Sequence, residues 1–220
     1  MLEALINIDT SFLLWINSFH TAFGDVFMSL YTNKWVWIPL YLFLGYYLYK
    51  GYAKQAWGLL LALVLCVALA DVISSSIIKP LVARPRPSQL AELEGILHIV
   101  NGYRGGQFGF VSAHAANTIV VVTFFGLLTR DTLTTLVLLF WSLLNCYSRI
   151  YLGVHYPGDI LCGLLLGILI ASIVYALIKH RISKIPITSL PPTPLCRWGT
   201  FAIWVFMVGL FLLYSTFSIL

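Results

Sequence analysis

The sequence predicts an all-α fold: a polytopic membrane helical bundle of about six transmembrane helices with an amphipathic helix before them. Two observations carry this. Hydrophobic residues make up 60% of the 220 and charged residues only 10%, with a mean hydropathy of +0.92, whereas soluble domains hold about 45–50% apolar residues. Apolar runs close to the roughly 20 residues that a helical span needs recur along the chain. The net charge of +5 then describes cationic loops at a membrane surface, not a nucleic-acid footprint.

The elements follow in order. Residues 1–20 place Leu2, Leu5, Ile6, Phe12, Leu13, Ile16 and Phe19 at helical spacing, with Glu3, Asn7, Thr10 and Asn17 elsewhere on the wheel. This reads as an interfacial helix. It lacks a basic leading region, so it does not read as a cleaved signal peptide. Spans are expected at Trp35–Tyr49, Ala56–Ile78, Ala113–Leu128, Thr132–Tyr147, Ile160–Ile178 and Trp198–Leu220. The first is short; an earlier start near Val26 would make Lys34 snorkel to the interface. Residues 186–194 (PITSLPPTP) form a proline-rich linker. The whole of 1–220 reads as one membrane domain, with its chemistry in 79–159. Cys66, Cys146, Cys162 and Cys196 lie in or beside apolar runs without a CxxC pair, as small buried hydrophobes.

With six spans, three polar stretches reach the same membrane face: IIKPLVARPRP, FVSAHAAN and SRIYLGVHYPGD. The opposite face receives Lys50, Lys54, Arg130, Lys179, Arg181, Lys184 and Arg197, which by the positive-inside rule is cytoplasmic. A lone Lys or Arg at a helix end is usually an interfacial anchor, and a lone His at a helix start is usually solvated. Convergence changes that reading, because Lys79, Arg86, Arg149, His114, His155 and Asp159 meet at one face. Ionisable groups there are costly unless used or solvated.

A metal site is one candidate, since His155, Asp159 and His114 make a two-histidine, one-carboxylate set. Three adjacent cations repel a divalent ion and favour a phosphate. Phosphoryl transfer then assigns roles. His155 attacks phosphorus while Asp159 holds its tautomer; His114 protonates the leaving oxygen. Lys79, Arg86 and Arg149 neutralise the transferred group without a metal. Ser112, Ala113 and His114 present backbone amides at a helix start.

These stretches resemble the signature of the type-2 phosphatidic acid phosphatase superfamily, K-x6-RP, PSGH and SR-x5-H-x3-D. Lys79 and Arg86-Pro87 match the first motif, and Arg84-Pro85 is a decoy at the wrong spacing. Ser148-Arg149, His155 and Asp159 match the last. In the middle motif Val111 and Ala113 replace the proline and glycine, while Ser112 and His114 remain. The resemblance implies a lipid phosphatase without metal or cofactor, working through a phosphohistidine, with a lipid phosphate and the bilayer as partners. It implies a bacterial inner membrane, with the site facing the periplasm or exterior. Undecaprenyl pyrophosphate is the leading substrate candidate, ahead of the phosphates of lipid A, phosphatidylglycerophosphate and phosphatidic acid. A lipid phosphotransferase would use the same residues. An anion or lipid transporter would instead line a mid-membrane path with its charges.

Four further features carry less. Leu90, Leu93, Ile96, Leu97 and Val100 suggest a short interfacial helix within a loop that glycines 102, 105, 106 and 109 loosen. His98 reads as solvated. Asp71 interrupts a span and needs a polar partner. Gly163 and Gly167 form a GxxxG cue for close packing inside the bundle.

Overall fold

The computed structural model describes residues 2–183 and 194–219, and among these the chain is helical with no β-strand. Helices α1 (Leu2–Asn17), α2 (Ala22–Tyr31), α3 (Ile38–Tyr52), α4 (Ala56–Val72), α5 (Lys79–Val82), α6 (Ala113–Thr129), α7 (Thr132–Tyr151), α8 (Pro157–Ser183) and α9 (Pro194–Phe217) follow one another. A wide π turn, Ile73–Ile78, joins α4 to α5 directly before Pro80. Proline has no N–H to give to the carbonyl of the preceding turn, and a loosened turn is where a helix absorbs that loss.

Each expected span coincides with a helix. By length and hydropathy, Lys34–Val82, Thr132–Tyr151, Pro157–Lys179 and Pro194–Phe217 can cross a membrane, and Ala113–Thr129 is a shorter apolar helix. Leu42, Trp57, Leu61, Leu165, Leu177 and Phe206 point outward. In water that surface would be a liability, and in lipid it is the solvent-facing side. The first span does not begin near Val26. Thr21 instead caps a separate helix, α2, by accepting from the Gly24 amide at 2.9 Å, and Asn33 caps the short turn that follows. The 186–194 linker lies outside the described residues apart from Pro194, which opens α9.

Helix α6 is the hub, packed by α4, α7 and α8. Gly163 and Gly167 of α8 sit against the Ser112 and Ala116 carbonyls, where an added Cβ would collide. The GxxxG cue is thus used inside the bundle. Beside α6, Tyr31, Trp37, Trp141 and Phe211 stack edge to face, with Trp37 and Phe211 centroids 5.4 Å apart, an arrangement that suits ring quadrupoles. At the far end, buried Asp131 accepts from Thr134 at 2.6 Å and from Arg197 of α9 at 3.1 Å. Cys66, Cys146 and Cys162 carry free thiols.

The loop after α5 departs from expectation. It holds short 3-10 turns and no α-helix, yet buries Leu93, Leu97 and Val100. Leu13 and Ile16 of α1 join Leu93, Leu97, Ile150 and Tyr156 in one small core. His98 is half-buried and paired: its Nε2 donates to Asp25 Oδ2 (2.8 Å) and its ring stacks on His20 at 3.9 Å. Asp71 finds its partner in Asn117, 3.1 Å away.

Candidate active site

The three polar stretches meet. Ala83 takes a left-handed conformation (φ 49°) and ends α5, which turns the chain into Arg84–Pro87. Arg86 donates its amide to Gln107 (3.1 Å), and Gly109 donates to Arg84 (2.9 Å), so the returning loop lies along this segment. Gly109 is required by contact: a Cβ there would lie 2.9 Å from Asp159 Oδ2. Gly109 therefore tightens the return instead of loosening it.

His155 is buried between two partners. Its Nδ1 faces Asp159 Oδ2 at 3.2 Å and its Nε2 faces Arg86 Nη1 at 3.0 Å. Asp159 Oδ2 also accepts from the Tyr156 amide at 3.1 Å. An acceptor at Nδ1 and a donor at Nε2 together fix the neutral tautomer with its proton on Nδ1. Burial holds the His155 pKa well below its usual 6.5, and Arg86, Arg149, Lys79 and Arg84 push the same way. Arg149 is buried, held by Thr32 Oγ1 (3.0 Å) and the Tyr103 hydroxyl (3.4 Å). Burial alone would raise the Tyr103 phenol, but Arg149 and Arg86 bring it below its usual value. Arg86 Nε and Arg149 Nε are both buried without an acceptor among the described residues. Two such orphaned guanidinium donors suit an anion placed between them.

The middle motif needs refinement. Ser112 caps α6, its Oγ accepting from Ala115 at 3.4 Å, and its own amide is spent on the Asp159 carbonyl at 2.9 Å. That amide is closed to an anion. The Ala113 and His114 amides, in the first turn of α6, have no intrahelical carbonyl to meet. Ala113 has no positive φ, so the missing glycine costs no strain here. The His114 ring has no hydrogen-bond partner among the described residues, and it lines a cleft of about 440 Å³ together with Arg149 and Tyr103.

Arg84 is no decoy. It donates to Asp159 Oδ1 (3.0 Å) and to Asp9 of α1 (2.7 Å), and its guanidinium lies 3.9 Å over the Tyr156 ring. The signature spacing has no place for it, but the RPRP repeat was the available signal. Asp9 had no signal beyond being one of two carboxylates on an amphipathic helix.

Known proteins resemble this chain. Residues 55–183 match the PAP2 superfamily. The lipid A 4'-phosphatase of Bacteroides thetaiotaomicron is 41% identical over 169 residues, covering 76% of this chain and 75% of that one. The lipid A 4'-phosphatase of Porphyromonas gingivalis is 33% identical over 196 residues, 88% of this chain and 82% of its own. The crystal structure of Aquifex aeolicus LpxE superposes with a TM-score of 0.61 at 26% identity, covering 76% of this chain and 94% of that one. The chain belongs to the PAP2 superfamily, as an integral-membrane lipid phosphatase.

Proposed function

We propose that this phosphatase removes a phosphate monoester from a saccharolipid of the lipid A type, through a phosphohistidine at His155. The observation that carries the substrate class is the cleft beside the phosphate site. Ser29, Thr32, Asn33, Asn101 and Lys34 line it with hydrogen-bonding side chains, and Trp35 and Tyr103 add aromatic rings. Such a wall suits a sugar, whose hydroxyls take polar partners and whose C–H faces take rings. A polyprenyl pyrophosphate offers no sugar to it. The two lipid A 4'-phosphatases among its relatives support the same choice over undecaprenyl pyrophosphate, the leading candidate from the sequence.

The geometry supports the following steps. His155 Nε2 attacks phosphorus in line, and Asp159 holds the Nδ1 proton as the ring gains charge. Arg86 already touches Nε2, so phosphorus arriving there brings its oxygens onto Arg86, with Arg149 and Lys79 completing the neutralisation. The Ala113 and His114 amides add donors. His114 protonates the departing sugar oxygen, and water then releases phosphate from His155. The positive-inside pattern supports a non-cytoplasmic site, which in a bacterial inner membrane is the periplasmic face. A cysteine at exposed Glu94 should react with an impermeant thiol reagent in spheroplasts; reaction only after permeabilisation would reverse the orientation.

The test is phosphate release by purified protein from lipid A, undecaprenyl pyrophosphate, phosphatidylglycerophosphate and phosphatidic acid, with mass analysis of the lipid products. The highest kcat/KM on lipid A supports the reading. Faster hydrolysis of the polyprenyl lipid, or phosphate passed to a second lipid, overturns it.

A further inference from the structure

We propose that Asp9, delivered by the amphipathic helix α1, is a positioning residue for the reaction, holding Arg84 in the place from which it braces Asp159 and hence His155. The residues form one continuous chain of contacts. Asp9 Oδ2 accepts from Arg84 Nη2 at 2.7 Å, Arg84 Nη1 donates to Asp159 Oδ1 at 3.0 Å, and Asp159 Oδ2 meets His155 Nδ1 at 3.2 Å. The same Asp9 carboxylate accepts from the Gly158 amide at 2.7 Å through Oδ1, at the start of α8. Only a glycine permits this approach, since a Cβ on residue 158 would lie 2.9 Å from Asp9 Oδ2. Asp9 lies outside the stretch that matches the superfamily, 55–183.

Three features make this more than a tether. First, α1 is fixed independently of Asp9. Its C-terminal Asn17 donates to the Tyr151 carbonyl (2.7 Å) and the His98 carbonyl (2.9 Å), and Leu13 and Ile16 are buried. A helix already anchored gains little from another tie, so the charge on Asp9 is available for Arg84. Second, Arg84 is set among cations. Lys79, Arg86 and Arg149 face the His155 ring from the end of α4–α5, the loop and α7, and the His114 imidazole faces it from α6; Asp159 is the carboxylate in contact with it. A fourth cation next to this set would pull electron density from the nucleophile. Asp9 neutralises it at 2.7 Å, in a site where charge pairs are weakly screened. Third, Tyr156 lies under the Arg84 guanidinium, which leaves that group little freedom except along the Asp9–Asp159 line. The amphipathic helix that exposes Leu5, Phe12 and Trp15 thereby reaches the reacting atoms through a single carboxylate.

The experiment is a double-mutant cycle in the full-length protein, with Asp9→Asn, Arg84→Gln and both together. Asparagine keeps an acceptor for Gly158 and stays near the native volume, so the fold has least reason to fail. Asp9→Asn should lower kcat about 5–30-fold, the effect of one to two kcal/mol, with KM within about threefold on the same scale. In the Arg84→Gln background it should cost almost nothing further, because contacting residues in one network do not add. The acid limb of kcat/KM should move to lower pH in Asp9→Asn, since an uncompensated Arg84 further disfavours the protonated His155. A helix tether alone predicts additive losses and an unmoved limb, and either result overturns the proposal. The inference rests on His155 being the nucleophile. The 15N shift of His155 Nδ1 in detergent reads the Asp9 effect without turnover: it should move in Asp9→Asn. An unmoved shift overturns the role of Asp9, whereas a moved shift in a protein whose His155→Ala variant still turns over would fault the catalytic reading instead.

Discussion

Replacing Asp159 by asparagine separates orientation from charge, and the outcome can be worked from three hydrogen bonds. Oδ2 accepts from the Tyr156 amide (3.1 Å) and from His155 Nδ1 (3.2 Å), while Oδ1 accepts from Arg84 (3.0 Å). Asparagine has one oxygen to offer. Placed at the Oδ2 position, it keeps two contacts and loses Arg84, which still has Asp9. Turned around, it sets its NH2 against two donors and forces the wrong tautomer on His155. A buried donor without an acceptor costs about 1–3 kcal/mol, so the first orientation is preferred roughly 5–150-fold. Most molecules of Asp159→Asn therefore still present a neutral Nε2. What is lost is the charge. A hydrogen bond to a charged group contributes about 1.5–3 kcal/mol and a neutral one about 0.5–1.5, a difference of about 1–2 kcal/mol, or 5–30-fold. Steady-state kcat on a lipid phosphate should fall by that factor. Asp159→Ala, which frees both the Tyr156 amide and the ring tautomer, should fall at least tenfold further on the same reasoning. Melting in detergent should rank the variants in the same order. An asparagine variant as inactive as the alanine would refute the orientation argument, because it would mean that the carboxylate charge, not the acceptor geometry, sustains attack.

Four other outcomes follow from the site. His155→Ala should abolish both turnover and acid-labile phosphoenzyme. His114→Ala should lose about 10²–10⁴-fold on lipid esters and far less on p-nitrophenyl phosphate, whose leaving group needs no proton; label trapped on His114 would reverse the two roles. The His155 pKa is depressed, so the neutral nucleophile persists below pH 6.5 and is lost only as pH falls further. Removing one of the depressing cations with Arg84→Gln should raise the acid limb of kcat/KM relative to wild type, the substrate's own titration being common to both; an unmoved or lowered limb contradicts this. Activity should survive excess EDTA and be inhibited by vanadate, and a loss restored by a divalent ion would assign the cations of Lys79, Arg86 and Arg149 to another task.

The division between what the sequence showed and what it hid has a physical origin. Spans are legible because a membrane imposes length and apolarity on contiguous residues; hence Ala56–Ile78 and Ile160–Ile178 fall within observed helices. The convergence of Lys79, His114 and His155 on one face is legible because counting spans is counting parity. Contacts made across sequence have no such constraint. His98 looks solvated in a glycine-rich loop, and only the fold puts Asp25 and His20 beside it. Ser112 fits its motif by type, while its amide answers to a carbonyl on Asp159 that no spacing predicts. Arg84 shows the point most clearly. A motif records the residues that touch phosphate, so the second arginine of RPRP fits and the first looks redundant. The structure gives the first arginine to the carboxylate behind the nucleophile. That carboxylate needs an outside counter-charge because it is fully buried and a buried charge is tolerated only when paired. The pairing brings in a cation whose own surplus charge must be met in turn, and α1, lying along the bundle with one aspartate facing inward, meets it. Electroneutrality, carried outward one residue at a time from His155, thus connects the catalytic motif to a helix in which no motif was visible.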